Sequence, residues 1–454
     1  MDLRPNSDEA RDIAYHFHGY TNARAHEDQG PMIMDRGEGV YVFDMQGNRY
    51  IEGMSGLWSV AVGFHEERLI KAATDQMSKL PYYHNFAHRS HGPAIDLAEK
   101  LISLAPVPMS KVFFTNSGSE ANDTILKKLW YRSNSLGKPE KKKVISRIRG
   151  YHGVTIASAS MTGLPYNHAS FDLPIDGVLH TTCPHYWREG QEGESEEAFA
   201  TRCADDLDAM IQVEGPDTIA AFIAEPVMGA GGVVVPPATY WEKIQAVLAK
   251  YDILLIADEV ICGFGRTGKM FGCETFGITP DIMTMSKQIT SSYFPFSAFM
   301  MSEEVYAPIA DESDRIGVLG HGYTGGAHPV GAAVALENLK IIEERDLVAN
   351  AAERGAELQA GLRGFAEHPL VGEARGVGLI GALEIIAPET HTDALKPGQL
   401  GLAMNKHFLK NGLISRNMLD AMAFCPPLIV TSDQVKDILS AVERSLEGFT
   451  AEMA

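Results

Sequence analysis

Apolar and polar residues change their spacing along the chain, and each change predicts an element. Residues 37–51 alternate with a period of two around Gln46-Gly47-Asn48, which predicts a β-hairpin. Before it, residues 1 to about 35 are polar with interspersed aromatics and histidines, and read as an arm lying on another surface. Residues 53–63, rich in Gly, Ser and Trp, read as a loop with a task. Helical spacing marks 67–80 and 94–104, and a further helix opens after Ser117 and runs to about 132. Short apolar runs predict strands at 111–115, 144–147, 219–224, 253–257, 281–286 and 296–301. Thr239 and Glu242 have the spacing of a capping box for a helix through Lys250, and a long helical pattern runs from 331 to about 365. The stretch 190–197 reads as an acidic surface loop, and the basic run 138–149 as a solvated face.

From about 94 to 301 strands and helices alternate, which favours an α/β fold with a mostly parallel central sheet. The tail, 376–385 and 412–454, mixes strands and helices. The expected division is a large domain at 76–330 and a smaller α+β domain built from both termini, 1–75 and 331–454.

Composition narrows the classes. The 454 residues are 45% apolar and 22% charged, as in an ordinary globular protein with a large core. A net charge of −20 argues against nucleic acid or an anionic membrane as partner, and leaves a small anionic ligand open. The five cysteines, Cys183, Cys203, Cys262, Cys273 and Cys425, are scattered without metal-ligand spacing, so a reducing compartment and no metal site are expected. The N-terminal stretch lacks an apolar signal core, and no apolar run approaches the ~18 residues of a membrane span. A cytoplasmic location is the expectation.

Two buried strands end on reactive groups. Asp258 and Glu259 follow the apolar run 253–257, and Lys287 follows 281–286. Open α/β sheets bind ligands outside the carboxyl ends of their strands, so both groups are expected to face one crevice. A lysine and a carboxylate placed in this way suggest pyridoxal phosphate chemistry. Lys287 is the candidate for covalent attachment, its amine freed by apolar surroundings. Asp258 is the candidate partner of a protonated pyridine nitrogen, and Val260 points to the same side in extended geometry. Gly118 and Ser119 open a helix and suit a phosphate, as they also suit a plain N-cap. Tyr151, between Gly150 and Gly153, suits stacking on a ring and equally suits covering a core turn. Arg416 suits bidentate carboxylate binding, and a solvent-exposed arginine fits the sequence as well.

These residues carry a family resemblance. The run Asp258-Glu-Val-Ile-Cys-Gly-Phe-Gly-Arg-Thr-Gly268, followed by Ser286-Lys-Gln288, resembles the signature of class III pyridoxal-phosphate aminotransferases. Thr115-Asn-Ser-Gly-Ser-Glu-Ala121, Gly150-Tyr-His-Gly153, Glu225-Pro226 with Gly229-Ala-Gly-Gly232, and His321-Gly-Tyr-Thr-Gly-Gly-Ala-His-Pro329 match in order. Gly56-Leu-Trp-Ser-Val60 and Leu413-Ile-Ser-Arg416 resemble the ω-amino acid/amine:pyruvate branch. A Lys-Gly pair is common in such relatives where this chain has Lys287-Gln288.

The resemblance implies a fold type I homodimer with shared active sites and pyridoxal 5'-phosphate as cofactor. It implies Lys287 as the attachment lysine and proton-transfer base, and Asp258 at the pyridinium with Glu225 orienting it. It implies Gly118 and Ser119 at the phosphate, joined by Thr324 from the other subunit, with Tyr151 and Val260 on the two ring faces. Tyr20, Leu57, Trp58, Phe86 and Ala230 would line the substrate pockets, and Arg416 would bind the keto-acid carboxylate. The expected reaction is ping-pong transfer from an amine or ω-amino acid to a keto acid, with pyruvate as acceptor, through pyridoxamine phosphate. Alternatives are 2-oxoglutarate as acceptor, a diamine or taurine as donor, and a related aminomutase or decarboxylase. A non-enzymatic pyridoxal phosphate sensor would carry a basic DNA-binding segment, which the sequence lacks.

Overall fold

The computed structural model describes residues 4–388 and 395–453. The first three residues of the stretch read for a targeting signal lie outside the described residues, as do 389–394 of the C-terminal part. The N-terminal arm contains two short helices, Asp8–Tyr15 and Ala23–Gln29. Each starts where a side chain accepts a free helix N–H: Ser7 Oγ from Ala10 at 3.2 Å and Asn22 Oδ1 from Ala25 at 3.1 Å.

Strands β1 (Met34–Glu38), β2 (Tyr41–Asp44) and β3 (Arg49–Glu52) form an antiparallel meander. The hairpin read from residues 37–51 is its β2–β3 half. Asp44 holds the turn, its Oδ1 accepting the N–H groups of Gln46 and Asn48 at 3.0 and 2.9 Å.

The central sheet contains β4 (Lys111–Thr115), β5 (Lys143–Arg147), β6 (Val178–Thr181), β7 (Ile219–Ala224), β8 (Leu254–Asp258), β9 (Ile282–Met285) and β10 (Ser297–Met301). Their order is β4-β10-β9-β8-β7-β5-β6. Strand β10 runs antiparallel to the other six strands of this sheet, which share one direction. Every residue of β7, β8 and β9 is buried, which explains why these segments read as continuous apolar runs and not as alternations.

A third sheet forms from β11 (Val371–Val377) and β12 (Ile380–Ile385) with strands near the C-terminus. Strand β13 (Leu413–Ile414) instead joins the first sheet, pairing in parallel with β3, so residues from both ends of the chain share one sheet. Strands β14 (Arg416–Met418) and β15 (Ala421–Phe424) complete the third sheet in the order β11-β12-β15-β14. Among the described residues, no helix is long and apolar enough to cross a membrane.

Three local readings are corrected. The helix Tyr240–Lys250 begins at Thr239, but the capping box does not form: Thr239 makes no side-chain cap bond, and its hydroxyl is buried without a partner. Thr239 has φ −95° and ψ 1°, not the extended backbone that aims a cap hydroxyl at the helix N–H groups. The pattern 331–365 is two helices, Pro329–Glu344 and Leu347–Gly364, because Asp346 turns left-handed with φ 48°. The basic run is not wholly a solvated face. Lys141 is buried with Nζ donating to the Asp252 carbonyl at 2.6 Å, and buried Arg147 donates to the Glu225 carbonyl at 2.5 Å.

Candidate active site

Five strands of the central sheet deliver side chains to one edge of it. Strand β4 leads into Gly118 and Ser119, β5 into Tyr151, β7 into Glu225, β8 ends on Asp258, and β9 leads into Lys287. All five run in the same direction, so their carboxyl ends open onto one crevice. A cavity there is lined by Gly118, Ser119, Tyr151, Glu225, Asp258, Val260 and Lys287, together with His152, Gly153, Ile261 and Ser286.

Adjacent strands set the distance between the two central groups. Asp258 of β8 pairs with Thr284 of β9, and Lys287 follows three residues later. The Lys287 backbone is left-handed, φ 47°, and opens a single 3₁₀ turn. The following residue fixes that turn: Gln288 Nε2 donates to the carbonyls of Ile261 at 3.0 Å and Gly263 at 2.8 Å. A glycine there could not make these bonds, which tie the Lys287 turn to the segment after β8. Burial lowers the Lys287 pKa, with Asp258 and Glu225 pulling the other way and Arg416 adding to the decrease. A larger fraction of the amine is therefore free to act as nucleophile or base.

Asp258 is buried and held by three donors. Its Oδ2 accepts from His152 Nδ1 at 2.8 Å and Asn122 Nδ2 at 3.0 Å, and its Oδ1 from the Val260 N–H at 3.1 Å. An ionised carboxylate only accepts, so His152 carries its proton on Nδ1. Asn122 also donates to the His152 carbonyl at 2.8 Å and accepts from Thr284 Oγ1 at 2.9 Å. The helix Gly118–Ser135 is thereby bolted to β8 and β9. Neither His152 nor Asn122 received a role from the sequence. Their signals were faint: His152 stands beside Tyr151, and Asn122 lies one helical turn beyond Gly118.

Glu225 is buried, and its carboxylate accepts the N–H groups of Tyr151 at 3.0 Å and Gly229 at 2.9 Å. Burial raises its pKa, against His152 and with Asp258. Burial, then Tyr20, raises the Tyr151 hydroxyl pKa, so it stays protonated. Glu259, the second carboxylate after β8, faces elsewhere. It accepts from Gly272 and Cys273 at 2.9 and 2.7 Å, starting the helix Gly272–Phe276, and burial raises its pKa to about 7.

At the other end of the cavity, the first N–H groups of helix Gly118–Ser135 have no partner within the helix. Ser119 Oγ accepts from the Val154 N–H at 3.1 Å, which leaves its own proton available. A Cβ on Gly118 would stand 3.3 Å from Val260 Cγ2 and 3.6 Å from Ser286 Cβ, so the bare glycine keeps the cavity floor open.

The remaining predicted residues do not line this cavity. Tyr20, on the arm, is exposed; its ring centre is 6.4 Å from that of Tyr151 and its hydroxyl accepts from Asn167 at 2.6 Å. Leu57 is exposed, whereas Trp58 is buried in a cluster with Met54, Val227 and Ile261. Ala230 is half-buried in the turn after Glu225. Phe86 and Thr324 lie together on another surface: Phe86 packs on Gly322, and the Thr324 carbonyl accepts from Tyr82 at 2.9 Å. Arg416 is half-buried on β14 and has no ion-pair partner among the described residues, while Arg375 of the same sheet is held by Glu373 and Glu384.

The residues present fit pyridoxal phosphate. Unpartnered helix N–H groups and a free serine proton suit its phosphate, a fixed carboxylate suits its pyridinium, and an amine of lowered pKa suits its carbonyl carbon.

Comparison with known proteins agrees. The chain matches the family model Aminotransferase class-III over residues 22–446. It is 49% identical over 424 residues to a probable gamma-aminobutyrate transaminase 3, mitochondrial, of Oryza sativa subsp. indica, covering 93% of this chain and 83% of that one. It is similar to the crystal structure of an omega transaminase from Pseudomonas jessenii in complex with PMP, at 59% identity and TM-score 0.97 over 98% of this chain and 99% of that one. A solved transaminase with L-ala matches at 65% identity and TM-score 0.92, covering 93% of this chain and all of the other. The chain belongs to the class III aminotransferases and is a pyridoxal-phosphate-dependent enzyme that moves amino groups.

Proposed function

We propose that the enzyme takes an amino group from an amine or ω-amino acid and gives it to pyruvate, leaving alanine, in a homodimer whose two active sites are shared. One observation carries the acceptor reading: Arg416 has no carboxylate partner among the described residues, yet lies near enough to Lys287 and Tyr151 to act on both electrostatically. A guanidinium left unpaired within electrostatic reach of the reactive amine suits the carboxylate of a keto acid, and the family resemblance supports pyruvate over 2-oxoglutarate.

The bound cofactor supplies an electron sink for the substrate carbon. The chain supplies the rest. Lys287 Nζ, kept partly unprotonated by burial, would take the proton from the substrate carbon and deliver it to the carbon on the far side of the transferred nitrogen, a 1,3 transfer. Asp258, fixed by His152 and Asn122, holds a proton on the pyridine nitrogen. Gly118 and Ser119 would anchor the phosphate, and Tyr151 and Val260 would hold the ring. Glu225 positions the Tyr151 backbone through the 3.0 Å bond. Tyr20, Leu57, Trp58 and Ala230 shape the donor pocket.

Phe86 and Thr324 lie outside their own chain's cavity and beside each other, which supports their presentation to the partner subunit's site. Equilibrium sedimentation tests the dimer. The shared sheet of β3 and β13 supports one small domain from residues 1–75 and 331–454 beside a large domain at 76–330. Five free, buried cysteines support a reducing compartment such as the cytoplasm, although the named relative is a mitochondrial protein.

An amine-donor panel, run with pyruvate and with 2-oxoglutarate, tests the proposal. Pyruvate should support the faster turnover with parallel double-reciprocal lines. Faster turnover with 2-oxoglutarate would reassign the acceptor, and intersecting lines would remove the ping-pong order.

A further inference from the structure

The N-terminal arm gathers ligand atoms that the amino-transfer site does not use. Asp12 lies in the helix Asp8–Tyr15, His16 caps the end of that helix, His18 follows it, and His26 lies in the helix Ala23–Gln29. His16 Nδ1 is 3.0 Å from Asp12 Oδ1, His18 Nε2 is 2.8 Å from Asp12 Oδ2, and His26 Nε2 is 3.0 Å from the same oxygen. The rings are tilted against one another, with centres 4.2 Å apart for His16 and His18 and 4.3 Å apart for His18 and His26. One ligand atom from each of Asp12, His16 and His18 lies within 4.8 Å of the other two.

Three imidazoles converge on one carboxylate, and the third ring is brought in from another helix. Tetrahedral zinc, with bonds of about 2.0–2.1 Å, keeps its ligand atoms roughly 3.3 Å apart. The ligand atoms of Asp12, His16 and His18, within 4.8 Å of one another, converge on that spacing through side-chain adjustments on the ångström scale. Imidazole and carboxylate donors favour zinc, copper or nickel over magnesium or calcium, which prefer all-oxygen shells.

We propose that Asp12, His16 and His18 form a divalent transition-metal site that zinc fits, with His26 holding the Asp12 carboxylate from the second arm helix. The site is separate from the cavity of Lys287 and Asp258, to which the arm contributes no lining residue. A bound ion would fix the end of the first arm helix and the segment after it that carries Tyr20, with the Asp12–His26 hydrogen bond linking it to the second helix. The imidazoles must be neutral to bind, so affinity falls in acid.

Zinc alone, added to the holoenzyme in equilibrium dialysis at neutral pH, tests the site. The wild type should retain one zinc per chain, and the His16→Ala/His18→Ala double variant should bind it at least about tenfold more weakly. The single variant His16→Ala serves as a check on folding, because the His16 side chain is 66% exposed and its loss leaves no cavity; it should also weaken binding. Equal affinity and stoichiometry in wild type and both variants would overturn the proposal, as would a wild type that retains no zinc.

Discussion

Replacing Arg416 by alanine should separate the two substrates. Arg416 sits on β14, where pairing with Ala423 of β15 fixes its backbone, and its half-buried guanidinium has no anionic partner among the described residues. A keto-acid carboxylate would therefore meet a cation already stripped of some water and free of competition. A hydrogen bond to a charged group is worth about 1.5–3 kcal/mol. At 1.4 kcal/mol per factor of ten, its loss should raise the KM for pyruvate roughly 10- to 150-fold. An aryl amine has no carboxylate to lose, so its KM should change by less than about threefold, while an ω-amino acid donor should follow pyruvate. Measuring each half-reaction separately, by single-turnover kinetics at varied substrate, isolates the two effects. An equal rise for pyruvate and for an aryl amine would refute the assignment, since it would show that Arg416 supports the site without contacting the carboxylate.

Three further outcomes follow from local geometry. Glu52 is buried, accepts from the Met54 N–H at 2.9 Å, and has its pKa raised by burial from 4.5 to about 7. The folded state then binds the extra proton between those values, so the wild type should lose about 3 kcal/mol relative to Glu52→Gln as pH rises from about 4.5 to above 7. Parallel urea-unfolding stabilities at pH 5 and 8 would contradict this. Gly153→Ala should cost about 2–5 kcal/mol and weaken cofactor binding: Gly153 has φ +132°, and an added Cβ would stand 2.5 Å from both Ser119 Oγ and Ser158 Oγ. An unchanged Tm with unchanged cofactor affinity would count against the cradle. Thr239→Val removes a buried hydroxyl that has no partner, so it should be neutral or stabilising by up to about 1 kcal/mol, and a marked fall in Tm would show a missing bond.

The sequence was most legible where one strand carries both burial and chemistry. Strands β8 and β9 announced themselves as apolar runs ending on Asp258 and Lys287, because a strand buried on both faces has no polar alternation to dilute the signal. Gly118, Ser119 and Tyr151 were nameable as candidates with equally ordinary structural readings beside them, and only the family resemblance gave Glu225 a role. His152 and Asn122 escaped because they act on Asp258 across 106 and 136 positions of chain, a relation that no local pattern records. The antiparallel direction of β10 was hidden for the same reason: strand direction is decided by the connection and not by the residues of the strand. The failed cap at Thr239 and the break at Asp346 turn on single backbone angles, which spacing rules do not carry.

The most direct measurement is the identity of the lysine that holds the cofactor. Borohydride reduction of the holoenzyme followed by peptide mass mapping should place the pyridoxyl mass on the peptide containing Lys287. Lys128 gives the mapping discriminating power, because burial lowers its pKa as well, to about 8, on a different face of the helix Gly118–Ser135 from the cavity. The label should fall on Lys287 and be lost completely, together with turnover, in Lys287→Ala. A label on Lys128 or any other lysine of the wild type, or undiminished turnover in Lys287→Ala, would contradict it.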